Sequence, residues 1–535
     1  MSDHRQVEPL RLDIHSFGYP FSCFDYIDSK FGEFDYPAIR RCFSLARSSN
    51  AKSLIVETIS PTGVIADENA EIIDLHPSFE PGRLLRFSFW GCDLQNASEL
   101  NCLEDKELLG YGILKEDVRH DDHSQRYWHI FEAVFPKYAH RHNCVPNPAP
   151  YPIQVGGKRF TINGVLYCQQ NGLNKCCAHV ALRSLISRLQ CDQPVSYRAI
   201  NDVARKLHKG QFDPAKGLKP QEMTAVLDYY GIPFGDIDYE QAAKEIGNKN
   251  IRKDLPYQSY IYAGIESGCG GLLGFKFREP PSAETPQGKE HGHIIPFYGH
   301  TFNKDTWSPD AEVHYFNIGG NMGYIPSSSW TSSLIGHDDN FGPNFCVPRL
   351  YVKPEQAEYV VELRRPMVHY GGITAEAQGI QFLYSLIPYL DTSHSWQRRL
   401  IYFANPRVRK VILRTLSVKR KSYLEHLREC RDWQGNADDV QTINKLETLL
   451  PNMLWVVEVS VPHLFPANER KLGEIVLNGL QKLDSDKNYE NEVDFSLFLM
   501  ARFPGTYFFL TAVNQYGPTF AAMTNGMTSH TEVIR

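Results

Sequence analysis

Four prolines fall within seven residues at Pro146-Asn147-Pro148-Ala149-Pro150-Tyr151-Pro152. Proline lacks an N–H, fixes its own φ and pushes the preceding residue out of the helical region. The run is therefore extended, cannot hold a helix and is unsuited to a central strand. It marks a boundary near residue 150. Before it, Asp35 to Ser48 has helical spacing, with Pro37 suited to a first turn. Ser53 to Ile59, Leu84 to Trp90, Leu108 to Leu114 and Tyr127 to Phe135 are rich in β-branched and aromatic residues and read as strands. Residues 1–150 are expected to form a mainly β domain.

From about 153 the pattern changes. Phe160 to Val165 reads as a strand, and Cys176 to Gln190, Ser196 to Leu207 and Lys219 to Tyr230 as helices. Leu272 to Phe277, Ile294 to Phe302 and Val313 to Ile318 are strand candidates. Helices followed by strands make an α+β unit over 151–353. A further strand candidate, Arg349 to Lys353, leads into 354–535. That last region is expected to be mixed, helical from Thr374 through Leu450 and strand at Leu454 to Val461 and Phe495 to Phe509.

At 535 residues, three domains is the ordinary expectation. A net charge of −6 on so long a chain points globally to neither nucleic acid nor membrane. No apolar run is long enough for a membrane helix. The first residues, Met1-Ser2-Asp3-His4-Arg5-Gln6, are polar and unlike a secretory signal. Twelve cysteines are scattered without a disulfide framework. A soluble protein of the cytoplasm is the expectation.

Chemistry concentrates in two segments. The first is Gln170-Asn171-Gly172-Leu173-Asn174-Lys175-Cys176-Cys177-Ala178-His179-Val180-Ala181-Leu182. A thiol here opens a helix, where the positive end of the dipole lowers its pKa. A glutamine six residues upstream of Cys176 offers an amide N–H to an oxyanion. The second segment is Glu290-His291-Gly292-His293-Ile294-Ile295-Pro296-Phe297-Tyr298-Gly299-His300. His293 opens an apolar strand, which would hold an imidazole rigidly as a base.

Together, in this order, Gln170-x5-Cys176-x-Ala178-x2-Ala181 and His293 with its apolar strand resemble papain-like cysteine peptidases. The three helices after the thiol are similar to the bacteriocin-processing, double-glycine-leader branch. The resemblance covers roughly 153–350. It implies a papain-like core, with one helix carrying the cysteine and an antiparallel sheet carrying the histidine. It implies Cys176 as nucleophile, His293 as base and Gln170 as oxyanion-hole donor, acting on a protein or peptide substrate without a cofactor. An Asn or Asp on the strand after the histidine would orient the base. Asp305 is chosen over Asn303 and Asp310 because Trp307 stands beside it. The Gly-Ser-Cys-Trp of papain-type enzymes is absent, and Cys177 stands where the tryptophan would be.

Alternatives stay open. Cys177 competes as the thiol, and His291 and His300 as the imidazole. An acyl- or amide-transferring enzyme of the transglutaminase type, or a non-catalytic scaffold, would fit the same core. A zinc site from Cys176, Cys177, His179, His291 and His293 has poor spacing, because adjacent cysteines chelate badly. Gly268-Cys269-Gly270-Gly271 reads as a hairpin turn before it reads as a cleft wall. His337-Asp338-Asp339-Asn340-Phe341-Gly342-Pro343 reads as an ordinary turn before a cleft rim. The basic stretch Arg398 to Arg428 reads as a solvated helix face before a nucleic-acid or acidic-partner surface.

Overall fold

Seven antiparallel strands form the first sheet in the computed structural model. They are β1 (Leu12–Ser16), β2 (Ser53–Thr58), β3 (Glu80–Trp90), β4 (Leu108–Val118), β5 (Arg126–Phe135), β6 (Ala149–Val155) and β7 (Lys158–Tyr167), in the order β1-β2-β3-β4-β5-β7-β6. The structure describes residues 12–17, 26–27, 29, 36–118, 126–136, 143–171, 177–189, 194–278, 288–302, 323–349, 351–405, 407–408, 410–465, 467–484, 487–489 and 492–535.

Strand alternation sorts the aromatic residues onto two faces. Phe87, Phe89, Ala133 and Phe135 lie in the cluster beneath helix α1 (Pro37–Ser48), where Phe43 meets Phe89 edge-on at 5.0 Å. Trp90, Val134 and Leu166 lie in a separate cluster, with Trp90 against Phe160 at 4.8 Å. The proline run ends in the edge strand β6, where Pro150 and Pro152 face outward and are exposed. An edge is where a strand tolerates lost donors. The extended reading of the run holds, and the strands that follow it extend the first sheet.

Three helices expected after β7 are present: α3 (Cys177–Leu189), α4 (Tyr197–Leu207) and α5 (Pro220–Tyr229). Helix α2 (Val64–Leu75) was not anticipated. Its Asp67, Glu68 and Glu71 interrupt the apolar pattern, and Glu68 and Glu71 are buried rather than solvated. The chain continues through β8 (Phe234–Asp238), α6 (Tyr257–Glu266), β9 (Gly271–Arg278), β10 (Glu290–Phe302), β11 (Thr331–Asp338), β12 (Gly342–Pro348) and β13 (Ala357–Leu363). Contacts divide it into two units. The first comprises 1–230 with the stretches 293–297 and 335–347, and the second comprises the remainder.

In the second unit, β13 pairs antiparallel with both β9 and β8. Gly268 and Gly270, at φ 74° and 89°, turn the chain from α6 into β9, and both Cys269 and Gly270 donate to the Gly264 carbonyl. The glycine run is a helix cap, where a hairpin turn was expected. After α7 (Gly372–Leu386) and α8 (Ser395–Ala404), the region expected to remain helical contains strand β14 (Ile412–Lys419) between α8 and helices α9 (Arg420–Glu429) and α10 (Val440–Leu449). Val411, Ile412 and Val418 are β-branched, and the run packs as a buried strand rather than a helix face.

Strand β14 joins β15 (Met453–Ser460), β16 (Gly473–Asn478), β17 (Phe498–Phe503), β18 (Thr506–Asn514) and β19 (Gly517–Thr524) in one sheet. Trp455 and Val457 face the cluster containing α7, and Leu454 and Val456 the cluster containing α9 and α10. Gly379 of α7 lies so close to β15 that a Cβ would stand 2.6 Å from Val457. The strand expected at Arg349 to Lys353 ends instead at Pro348. Val313 to Ile318 lies outside the described residues. The chain is thus α+β, with sheets at the centre of both units. No described helix is long and apolar enough to cross a membrane.

Candidate functional site

Helix α3 begins at Cys177, which places that thiol in the first turn, at the positive end of the helix dipole. The helix is pinned close to this end. His179 Nε2 lies 2.7 Å from the Asn201 carbonyl oxygen, while the Asn201 amide donates to Glu71 of α2 at 2.9 Å. That amide orientation makes Nε2 the protonated nitrogen of His179. Burial depresses its pKa to about 4, so the ring is neutral. Farther along, Arg183 donates to the Phe131 carbonyl and to Glu132 of β5. Upstream in sequence, the Asn171 amide donates to Glu68 at 3.0 Å.

His293 supplies the imidazole. Its Nε2 lies 3.3 Å from Asp338 Oδ2 and 3.4 Å from Asp339 Oδ1, and the ring also hydrogen-bonds to Cys177. Burial opposes its charged form. The hydrogen bonds to Asp338 and Cys177 and the two carboxylate charges outweigh that effect and raise its pKa to about 10. The two aspartates differ. Burial would raise Asp338, but His293 and the Asn340 and Phe341 N–H groups donating to Oδ1 lower it below the ordinary value. Asp339 is raised to about 6 by burial and by the neighbouring Asp338 charge, against the pull of His293. The site can thus hold an imidazolium between a thiol and an ionised carboxylate.

The carboxylates come from a turn anchored to the first sheet. His337 is buried, and its Nδ1 accepts the Asn344 N–H, so Nε2 carries the proton and donates to the Val165 carbonyl at 3.2 Å. Burial lowers its pKa to about 3, which keeps it neutral. The Tyr167 hydroxyl donates to the Asp339 carbonyl, and the Asn344 amide to that of Pro136. Arg41 of α1 reaches the carbonyls of Pro343 and Asn344. His337→Phe would strand a buried N–H and a buried carbonyl. The expected cost is about 1–3 kcal/mol in thermal or urea unfolding, with slower reaction of Cys177 as the aspartates lose their register.

Of the residues singled out in the sequence, His293 occupies this cluster. Cys176, Asp305, Asn303 and Asp310 lie outside the described residues. Gln170 is half-buried and forms no hydrogen bond with a described residue, whereas its neighbour Gln169 is taken by Ile130. The rival histidines have their own partners: His300 lies 2.5 Å from Glu266, and His291 stacks on Phe277 at 5.5 Å. Of the zinc set imagined from sequence, His179 is on Asn201 and His291 on Phe277, while Cys177 and His293 meet each other. A different trio, His293, Asp338 and Asp339, has ligand atoms within 4.8 Å of one another, a spacing that also admits a divalent cation.

No protein-family model, no curated protein and no solved structure matches this chain. Its site is read from its own geometry. Asp338 is the residue that sequence reasoning passed over. The signal was an Asp-Asp-Asn turn closing an apolar strand, indistinguishable by composition from any Asn/Gly turn.

Proposed function

We propose that this protein is a papain-like thiol hydrolase that cleaves an amide or isopeptide bond in a protein or peptide. The observation that carries the reading is the hydrogen bond between Cys177 and His293, with His293 Nε2 backed by Asp338. A thiol at the start of a helix and a histidine and aspartate from antiparallel strands is the arrangement a papain-like core requires. The glutamine spacing favours Cys176, but the contact with the imidazole favours Cys177, and the nucleophile is assigned to Cys177. Asp338 takes the orienting role expected of Asp305.

With Nε2 on the carboxylates, Nδ1 is the ring nitrogen left for the thiol. As the sulfur attacks the carbonyl carbon, the proton it shares with His293 stays on the imidazole. An oxyanion forms, for which Gln170 and the Cys177 backbone N–H are the donors in reach of sequence logic. His293 then gives its proton to the leaving nitrogen as the C–N bond breaks, leaving a thioester. Water surrenders a proton to the imidazole, attacks the thioester and releases the acid with the thiol restored. A reduced thiol is required throughout, which suits the cytoplasm.

Iodoacetamide at neutral pH, followed by peptide mapping, tests the assignment. Modification is expected to concentrate on Cys177, to persist in Cys176→Ala and to vanish in Cys177→Ala. Even labelling of all accessible thiols would return the scaffold reading. If labelling of Cys177 rises sharply after EDTA, the His293–Asp338–Asp339 trio holds a metal ion instead.

A further inference from the structure

The second unit displays a ladder of alternating cationic and aromatic side chains. The Arg399 guanidinium lies over Trp396 at 4.7 Å, and Trp396 meets His530 edge-on at 5.0 Å. His530 stacks on Trp433 at 5.7 Å with only 21° between the rings, and Arg470 lies over Trp433 at 5.4 Å. Trp433 is 69% exposed, an unusual degree for the largest apolar side chain.

Its exposure is built in. Trp433 follows Asp432, whose carboxylate accepts the N–H groups of Gln434, Asn436 and Thr528 and the side chains of Asn436 and Thr528. Gly435, at φ 86°, closes the turn, and the Trp433 N–H donates to the His530 carbonyl. A loop so fully hydrogen-bonded holds the indole in place rather than letting it fold inward. Arg398 and Arg399 on α8, then Arg407 and Lys410 farther along the chain, are exposed, and Arg399 also meets His463 at 3.3 Å. Arg470 shares one pair, with Glu532 at 3.5 Å.

We propose that this surface binds single-stranded nucleic acid. A fixed, exposed indole is a platform on which any base can stack, and the arginines of the ladder and of α8 are the cations offered to the phosphates. Duplex nucleic acid hides its base faces and cannot use the indole. An acidic protein segment offers charge without a flat ring. Of the basic stretch noted in the sequence, Arg414 is buried among Glu266 and Glu458, and Lys421 and Arg428 pair with Glu425 and Glu447.

The test uses the full chain and a fluorescent oligothymidylate of about 15 nucleotides, with anisotropy as readout. Binding at low salt is expected, weakened about tenfold or more by Trp433→Ala and little by Trp433→Phe. Arg398→Ala with Arg399→Ala is expected to reduce the slope of log affinity against log salt by about 1.4. Poly-glutamate serves as a polyanion without bases, and its binding is expected to ignore Trp433→Ala. Absence of oligothymidylate binding at low salt would overturn the proposal. So would equal tightness for oligothymidylate and its duplex, or the same Trp433→Ala loss with poly-glutamate. The indole is at the surface, so its replacement leaves the fold intact, which circular dichroism checks.

Discussion

In a Cys176→Ala background, His293→Gln is expected to slow alkylation of Cys177 at pH 7 by about a hundredfold. The loss is that of the base, because His293 hydrogen-bonds to Cys177 and glutamine has no basic nitrogen to hold the shared proton. Hydrolysis has a pH limit, because it needs the His293 proton for the leaving group. With that pKa raised from 6.5 to about 10, the acid is lost only as pH rises through about 10. The same pKa bears on stability. A raised folded pKa contributes fully below 6.5 and is lost as pH climbs toward 10. Equal reactivity of Cys177 with and without His293 would remove the base from the proposed mechanism.

Arg502→Leu is expected to lower the stability of the second unit by about 3–5 kcal/mol, measured by urea unfolding. Arg502 lies within a buried network of opposite charges. It meets Asp438 at 2.8 Å and Glu474 at 3.2 Å. Lys471 pairs with both Glu474 and Glu458, and Arg414 joins Glu458 to Glu266. The chain end is drawn in as well, since the Ile534 N–H donates to Glu458 and its carbonyl accepts from Arg414. Losing the guanidinium leaves Asp438 buried without its cation and Glu474 with Lys471 alone, and an uncompensated buried charge is the costly case. Replacing Arg502, Asp438 and Glu474 together by apolar residues should recover much of the loss. The network also sets an acid limit. Burial opposes the charged form of Glu474, but Lys471 and Arg502 hold it near 2, below the ordinary 4.5. Its contribution is present above 4.5 and is lost as pH falls toward 2.

Much of the fold was readable where a segment declares itself locally. The alternation in β3, β4 and β5 and the amphipathic spacing of α4 depend on near neighbours alone. The proline run announced extended chain for the same reason. Strand β14 was misread because a short apolar run flanked by basic residues suits a helix face as well as a buried strand. Only its partner β15 resolves that choice, through the register Ile412 to Ser460. Helix α2 was missed because its carboxylates look solvated, yet Glu68 takes Lys115 and Asn171 as buried partners, and Glu71 takes Asn201 and Arg205.

The site divides in the same way. By itself, the sequence determined that one of two adjacent thiols opens a helix and that His293 belongs with an apolar strand, although that strand begins earlier, at Glu290. Those are local properties of spacing and composition. The tertiary structure decided which carboxylates receive the imidazole. Asp338 and Asp339 lie 45 and 46 residues beyond His293 and are held in register by contacts from His337 to Val165 and from Tyr167 to Asp339, each spanning 172 residues. Burial and hydrogen bonding across such separations set the charge state of His293 and distinguish Asp338 from Asp339, and no local pattern encodes them.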